Sequence, residues 1–326
     1  MRHTIPFCLI VLTMLLTACS DSNGMMPTSG GRPYEVIVVG QDSDACALVV
    51  EQLSLPMHGL PQEEPIFDVT YINSLPNQPT CRNLVTVDLN EEQYRQVAIR
   101  YEQDVNAKPQ IIIHLLAPDI KKLRSSMERG NAGKELRRLI MSHESAITRR
   151  HISEHPNKKM ERLIQERFGI RMPIPADMQA SKQTDGFLWI ARNDGNDMHS
   201  ICITTHENID SVLKANIKGE TDEMYMVRGA RDEERGLWEM KGDDMGGPYI
   251  MHTINRPDRR TPVANSTPEQ PTTTIFAFVY APGKKKRNII RRLETIINST
   301  EIIKSENNIH NGKDTSSNSK QQTGYR

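Results

Sequence analysis

The sequence predicts an α+β protein made of two ferredoxin-like units, each in the order β-α-β-β-α-β, the second degenerate, with helices joining them. Three observations carry this reading. Short apolar, β-branched runs alternate with capped helical stretches through the first half. The second half repeats those positions at a constant offset of 164 residues, which sets Ile111 on Ile275, Ala117-Pro118 on Ala281-Pro282 and Lys121-Lys122 on Lys285-Lys286. Between the halves lie segments whose apolar residues recur at helical spacing.

In the first half, Tyr34 to Gly40 is a β-branched run closed by glycine, the pattern of a buried strand. Asp44 is placed to cap a helix from Ala45 to Leu55, which Pro56 stops. Ile66 to Asn73 and Arg82 to Leu89 read as strands separated by the proline-rich turn at Pro76 to Pro79. Asn90 begins a predicted helix from Glu91 to about Asp104, and Gln110 to Leu116 is the last strand of the unit.

Asp119 to about His155 predicts one long helix with Leu136, Leu139, Ile140 and Ile147 as its apolar stripe. Lys158 to Phe168 predicts a second, and Phe187 to Ala191 an extra strand. The offset then marks Met198 to Thr204 as a strand, Asn208 to Gly219 as a capped helix, and Gly246 to Thr253 as a further strand. Residues 256–272, rich in proline and threonine, stand as a loop where the first unit has its second helix. A last helix, Lys284 to about Ile297, carries Ile289, Ile290, Leu293, Ile296 and Ile297 on one face.

The ends of the chain speak to address. Arg2 and His3 precede an apolar run from Ile5 to Thr17, closed by Leu16-Thr17-Ala18-Cys19. About 20 helical residues are needed to span a bilayer, so a run of roughly 14 reads as a cleaved leader. Its register with Cys19 is that of a bacterial lipoprotein signal. The expected organisation is a signal at 1–18, a flexible tether at 19–32, a first α+β unit with its long helix at 33–155, a second at 156–300, and a disordered tail at 301–326. A diacyl group on Cys19 supplies the two chains that stable anchoring requires. With 41 basic and 41 acidic side chains there is no electrostatic case for a nucleic-acid partner. With Cys8 leaving in the signal and Cys19 lipidated, Cys46, Cys81 and Cys202 remain; Cys46 with Cys81 closes the shorter loop, and inert free thiols are the alternative.

Several constellations could carry chemistry. His143, His151 and His155, at spacings of eight and four, share one face of the predicted long helix, as metal ligands can. Ile147 stands where a zinc-protease helix would need its second histidine, so a solvated polar face is the competing reading. His199, Cys202 and His206 do not converge, because strand alternation sends His199 to the other face. No Gly-x-Ser-x-Gly or phosphate-binding glycine loop is present, and no Ser-x-x-Lys is accompanied by its partner motifs. Trp189 and Trp238, with Asp243 and Asp244, could line a cleft between the units. Lys284, Lys285, Lys286 and Arg287 put four cations at the start of the last helix, against its macrodipole, a candidate contact for anionic headgroups or an acidic partner.

Gly59-Leu-Pro-Gln-Glu-Glu-Pro65, Arg82-Asn83, Arg235-Gly-Leu-Trp-Glu239, Gly246-Gly-Pro-Tyr249 and Phe278-Val-Tyr-Ala-Pro282 with Lys286-Arg287 follow one another along the chain. Together they resemble the signature blocks of a lipoprotein family of Bacteroidota known as domain of unknown function 4837, over about residues 33 to 300. The resemblance implies an envelope lipoprotein and assigns no activity, substrate or catalytic residue. The resulting expectation is a lipid-anchored envelope protein that binds or scaffolds rather than catalyses, on the outer membrane facing the periplasm. It would use no cofactor, reach the membrane through Cys19, and engage an envelope protein partner. The alternatives are an enzyme with its site between the units and a metal-binding protein.

Overall fold

A computed structural model describes residues 26–194, 197–229, 234–255 and 272–303. The signal, Cys19, most of the loop at 256–272 and nearly all of the tail lie outside these residues. The described chain forms two sheets with helices, so the α+β class stands.

The first sheet joins β1 (Glu35–Val39), β2 (Asp68–Ile72), β3 (Asn83–Leu89), β4 (Ala98–Gln103) and β5 (Ile111–Ala117) in the order β2-β1-β3-β5-β4. All its pairings are parallel except β4 with β5. Its connections supply α1 (Ser43–Leu53), and α2 (Ile120–Glu128) and α3 (Ala132–Glu154) follow β5. Alternation along each strand sends Val36, Val38, Val85, Val87, Ile111, Ile113 and Leu115 into one core with Leu48, Leu53, Leu123, Leu136 and Ile140 of these helices.

α4 (Lys158–Phe168) and the short β6 (Ile170–Arg171) lead to the second sheet. It is antiparallel throughout and contains β7 (Gln179–Thr184), β8 (Phe187–Asp194), β9 (Asp197–Thr204), β10 (Met226–Arg228), β11 (Arg235–Met240), β12 (Gly246–Asn255) and β13 (Thr272–Tyr280). Their order is β10-β11-β12-β13-β9-β8-β7. On one face Ile190, Ile201, Ile203, Ile275 and Ala277 pack with α4 and with Ile290, Leu293, Ile296 and Ile297 of α6 (Arg287–Asn298). Burial of each such side chain contributes about 1.5–3 kcal/mol, which is why the apolar stripe of α6 finds the sheet as expected. The opposite face holds Trp238, Tyr249, Phe276 and Phe278 under α5 (Ile209–Asn216). β14 (Glu301–Ile302) pairs with β6.

Strand pairing does not reproduce two ferredoxin-like units. The first half has a single helix between strands, and the offset of 164 sets parallel β1 beside antiparallel β9. Local patterning marks where strands lie but leaves their partners open, and the pairing partners are what differ. The expected helix at 91–104 is a turn followed by β4. Asn90 does cap, accepting from the Glu92 and Gln93 amides at 3.0 Å, but Val97, Ile99 and Tyr101 recur at the period of a strand, separated by Ala98 and Arg100. The expected long helix breaks between α2 and α3, at Arg129, Gly130 and Asn131. The first cap is Asp42, which accepts from the Ala45 amide at 2.8 Å, in place of Asp44.

Candidate functional site

The most distinctive chemistry lies where the two halves meet. α6 begins at Arg287, and its N-cap residue Lys286 offers no side-chain acceptor to the free amides of the first turn. The acceptor comes from the other half of the chain. Glu64, only 5% exposed, takes the Lys286 amide at 2.6 Å and the Arg287 amide at 3.2 Å on its two oxygens. A carboxylate also suits the positive end of the helix dipole.

Arg287 is 2% exposed and reaches the same loop from the other side. It donates to Asp68 at 2.6 Å and to the Pro65 carbonyl at 2.9 Å. Its hydrogen bond holds the Asp68 carboxyl below the usual range against partial burial, with Lys285 adding to the effect. Lys284 pairs with Asp197 at 2.7 Å. The predicted basic patch is therefore divided: Lys284 and Lys285 are exposed, Lys286 and Arg287 are built into the seam.

The same seam continues beside Tyr34. Glu144 of α3 is fully buried, accepts from Asn83 at 2.8 Å and pairs with Arg82 at 3.1 Å. Burial still pushes its carboxyl up, opposed by Asn83 and Arg82. The Tyr34 hydroxyl rises to about 12, first through burial and then through Glu144. Arg291 falls to about 10 because it is buried. Glu294 answers it at 2.9 Å and also pairs with Arg235 of β11. Four of the sequence blocks noted above (Gly59 to Pro65, Arg82-Asn83, Arg235 to Glu239 and Lys286-Arg287) thus supply the seam. Gly59 itself lies so close to Arg235 that a Cβ there would sit 2.6 Å from its Cγ.

The histidine set is split. His143 is buried midway along α3, with its ring pKa lowered to about 4 by burial and then by Arg82. His151 and His155 stand together at the exposed end of α3, ring centroids 5.1 Å apart, and Glu154 takes the place expected of His143. Nearby, Arg292 holds Asp177 through two bonds of 2.7 and 2.9 Å, and Arg192 lies 3.5 Å away. His199 faces this corner, 7% exposed; burial, then Arg192 and Arg292, lower its pKa to about 4 against the pull of Asp197 and Asp177. Cys202 lies in the aromatic core and His206 bonds the Asp185 carbonyl at 3.1 Å, so these two do not join it.

Trp189 and Trp238 do not line a cleft between the halves. Both belong to the aromatic face of the second sheet, whereas Met57, Leu60 and Ile66 of the first half pack on the opposite face. Trp238 donates to the Val279 carbonyl at 3.1 Å and meets Phe278 edge-on. Asp243 and Asp244 sit in the exposed turn between β11 and β12. Cys46 and Cys81 are free and pack on opposite faces of the first sheet. Burial raises the Cys46 thiol to about 11. An open groove of about 560 Å³ between α4 and β7, lined by Lys158, Lys159, Arg162 and Glu166, lies away from the seam.

Sequence reasoning missed Asp68, Glu154, Asp177 and Glu294, and gave Glu64, inside the Gly59 to Pro65 block, and Glu144, beside His143, no part in a seam. The partners of these carboxylates come from a distant segment or a neighbouring turn, and nothing local marks the pairing. Among the described residues no helix is long and apolar enough to cross a membrane.

Comparison with known families divides the chain where the seam does. Residues 157–299 match Domain of unknown function (DUF4837). Residues 29–153 match a separate family, Domain of unknown function (DUF8532). The resemblance expected over residues 33 to 300 thus holds for the second half. No curated protein and no solved structure matches the chain.

Proposed function

We propose, for a chain that carries a DUF4837 domain at 157–299 behind a DUF8532 segment at 29–153, that it is a lipid-anchored envelope protein whose task is to bind a protein partner. The sequence at Leu16 to Cys19 motivates the anchor, and the outer membrane facing the periplasm is the proposed address. What supports binding over catalysis is the seam. Its carboxylates are matched within the protein: Glu64 to the α6 amides, Asp68 to Arg287, Glu144 to Arg82 and Glu294 to Arg291. Such pairing holds the two halves in one orientation, as a scaffold requires, and commits the charges that a cleft enzyme would turn toward its substrate.

The test is crosslinking in native envelopes followed by capture of the full chain. A partner recovered in fixed stoichiometry from wild type, and lost when exposed residues of the body are replaced, is the expected result. Hydrolysis of peptide, ester, glycan or phosphate substrates by purified protein, with no stoichiometric partner, would overturn the proposal.

A further inference from the structure

We propose that the last turn of α3 is a surface site for a divalent transition-metal ion of the zinc, nickel or copper class, with His151, Glu154 and His155 as its ligands. One ligand atom from each of the three lies within 4.8 Å of the others. Bonds of about 2.0–2.1 Å in a tetrahedral shell set ligand atoms about 3.3 Å apart. All three side chains are exposed, so their torsions are open to the adjustment that a metal shell requires.

Local structure prepares the site. His151 and Glu154, three residues apart, share a face of α3, and His155 follows as its C-cap residue with its ring centroid 5.1 Å from that of His151. The His155 Nδ1 lies 3.3 Å from the His151 carbonyl, which can only accept, so Nδ1 carries the proton and Nε2 keeps its lone pair for a metal. The turn itself is fastened to the loop at 172–178. The His155 carbonyl accepts from the Ala176 amide at 2.9 Å, the Asn157 amide donates to the Ile174 carbonyl at 2.6 Å, and the Asn157 side chain donates to the Met178 carbonyl at 2.7 Å. The C-terminal end of a helix, with its partial negative charge, favours a cation.

Two positive neighbours oppose binding, and both are accounted for. Arg150 holds one Glu154 oxygen at 2.9 Å, but this pair is exposed and leaves the second oxygen available. Arg292 is engaged by Asp177 through both of its terminal nitrogens. A cavity of about 170 Å³ bounded by His151, His155, Asp177 and Arg292 adjoins the two imidazoles and gives water access to them. Two imidazoles with one carboxylate favour a transition metal over calcium or magnesium, which take oxygen shells.

The experiment is a zinc titration of the full chain, purified in detergent without a histidine tag, by competition with a chromogenic chelator. Wild type should take one zinc per chain at micromolar concentration. His151→Ala and His155→Ala should each weaken binding by at least the roughly 10–100-fold that loss of an outer-shell partner costs, and Glu154→Gln by less, with far-UV circular dichroism unchanged. Zinc-edge absorption should show imidazole scattering. Binding unaltered in the His151→Ala/His155→Ala double variant, an all-oxygen shell, or no uptake at 100-fold higher zinc would each overturn the proposal.

Discussion

Replacing Glu64 by alanine removes the cap of a helix that lies 222 residues further along the chain. Two amides of α6 lose a charged acceptor, at 2.6 and 3.2 Å, and Lys286 supplies no local replacement. Loss of a side-chain cap costs about 1 kcal/mol, the helix dipole adds up to about 2 kcal/mol in a partly buried setting, and stranded buried amides cost about 1–3 kcal/mol. The alanine also relieves the desolvation of a carboxylate that is 5% exposed. The net expectation is about 3 kcal/mol for Glu64→Ala. Glu64→Gln keeps one carbonyl acceptor and should cost about half as much. Urea unfolding reads this directly, because both tryptophans, Trp189 and Trp238, sit in the second sheet while Glu64 belongs to the first half. The tryptophan transition and the far-UV transition should move to lower urea together. A shift below about 0.5 kcal/mol, or a tryptophan transition that stays put, would refute the claim that Glu64 holds α6 across the seam.

Other expectations follow from the same geometry. Arg287→Met should destabilise by about 3 kcal/mol, since removal of one partner strands the other. A double-mutant cycle with Asp68→Asn should return about 2 kcal/mol of coupling, less than a fully buried pair because Asp68 keeps 27% of its side chain exposed. His143 and His199 are held neutral in the folded chain, with pKa values lowered from 6.5 to about 4. An unfolded chain takes up those protons below pH 6.5 and the folded chain does not. Stability is therefore complete above about pH 6.5 and falls toward pH 4, by at most about 3 kcal/mol per histidine. Urea midpoints measured from pH 7.5 to 4.5 should show the decline, and His199→Gln should flatten it; a flat wild-type profile would contradict the burial argument. Gly247→Ala should lower expression or stability sharply, by more than about 3 kcal/mol, because a Cβ there would stand 2.0 Å from the Val279 carbonyl oxygen that Trp238 also uses.

Legibility varied with the range of the interaction. β1, β3, β5, β8 and β9 announce themselves by short apolar runs, and α4 and α6 by a stripe that repeats at helical spacing. These signals are local and physical, so they survive folding. β4 was hidden because Asn90 gives a true cap to a turn that ends within a few residues. The parallel first sheet was hidden because pairing depends on crossover connections that no window of sequence encodes. The basic run at 284–287 was visible, but its meaning was not. Its answering groups, Glu64 and Asp68, lie more than 200 residues earlier, so a motif that reads as a surface patch is half structural. The histidine triad failed for a simpler reason: at a spacing of eight His143 lies two turns from His151, inside the core, whereas Glu154 sits one turn away.

The proposed function rests on Cys19 holding the body at a membrane. Metabolic labelling with a palmitate analogue, followed by membrane fractionation of cells expressing the full chain, tests that most directly. Wild type should carry the label and sediment with membranes, and Cys19→Ser should lose both. Wild-type protein that is unlabelled and recovered in the soluble fraction would contradict the account.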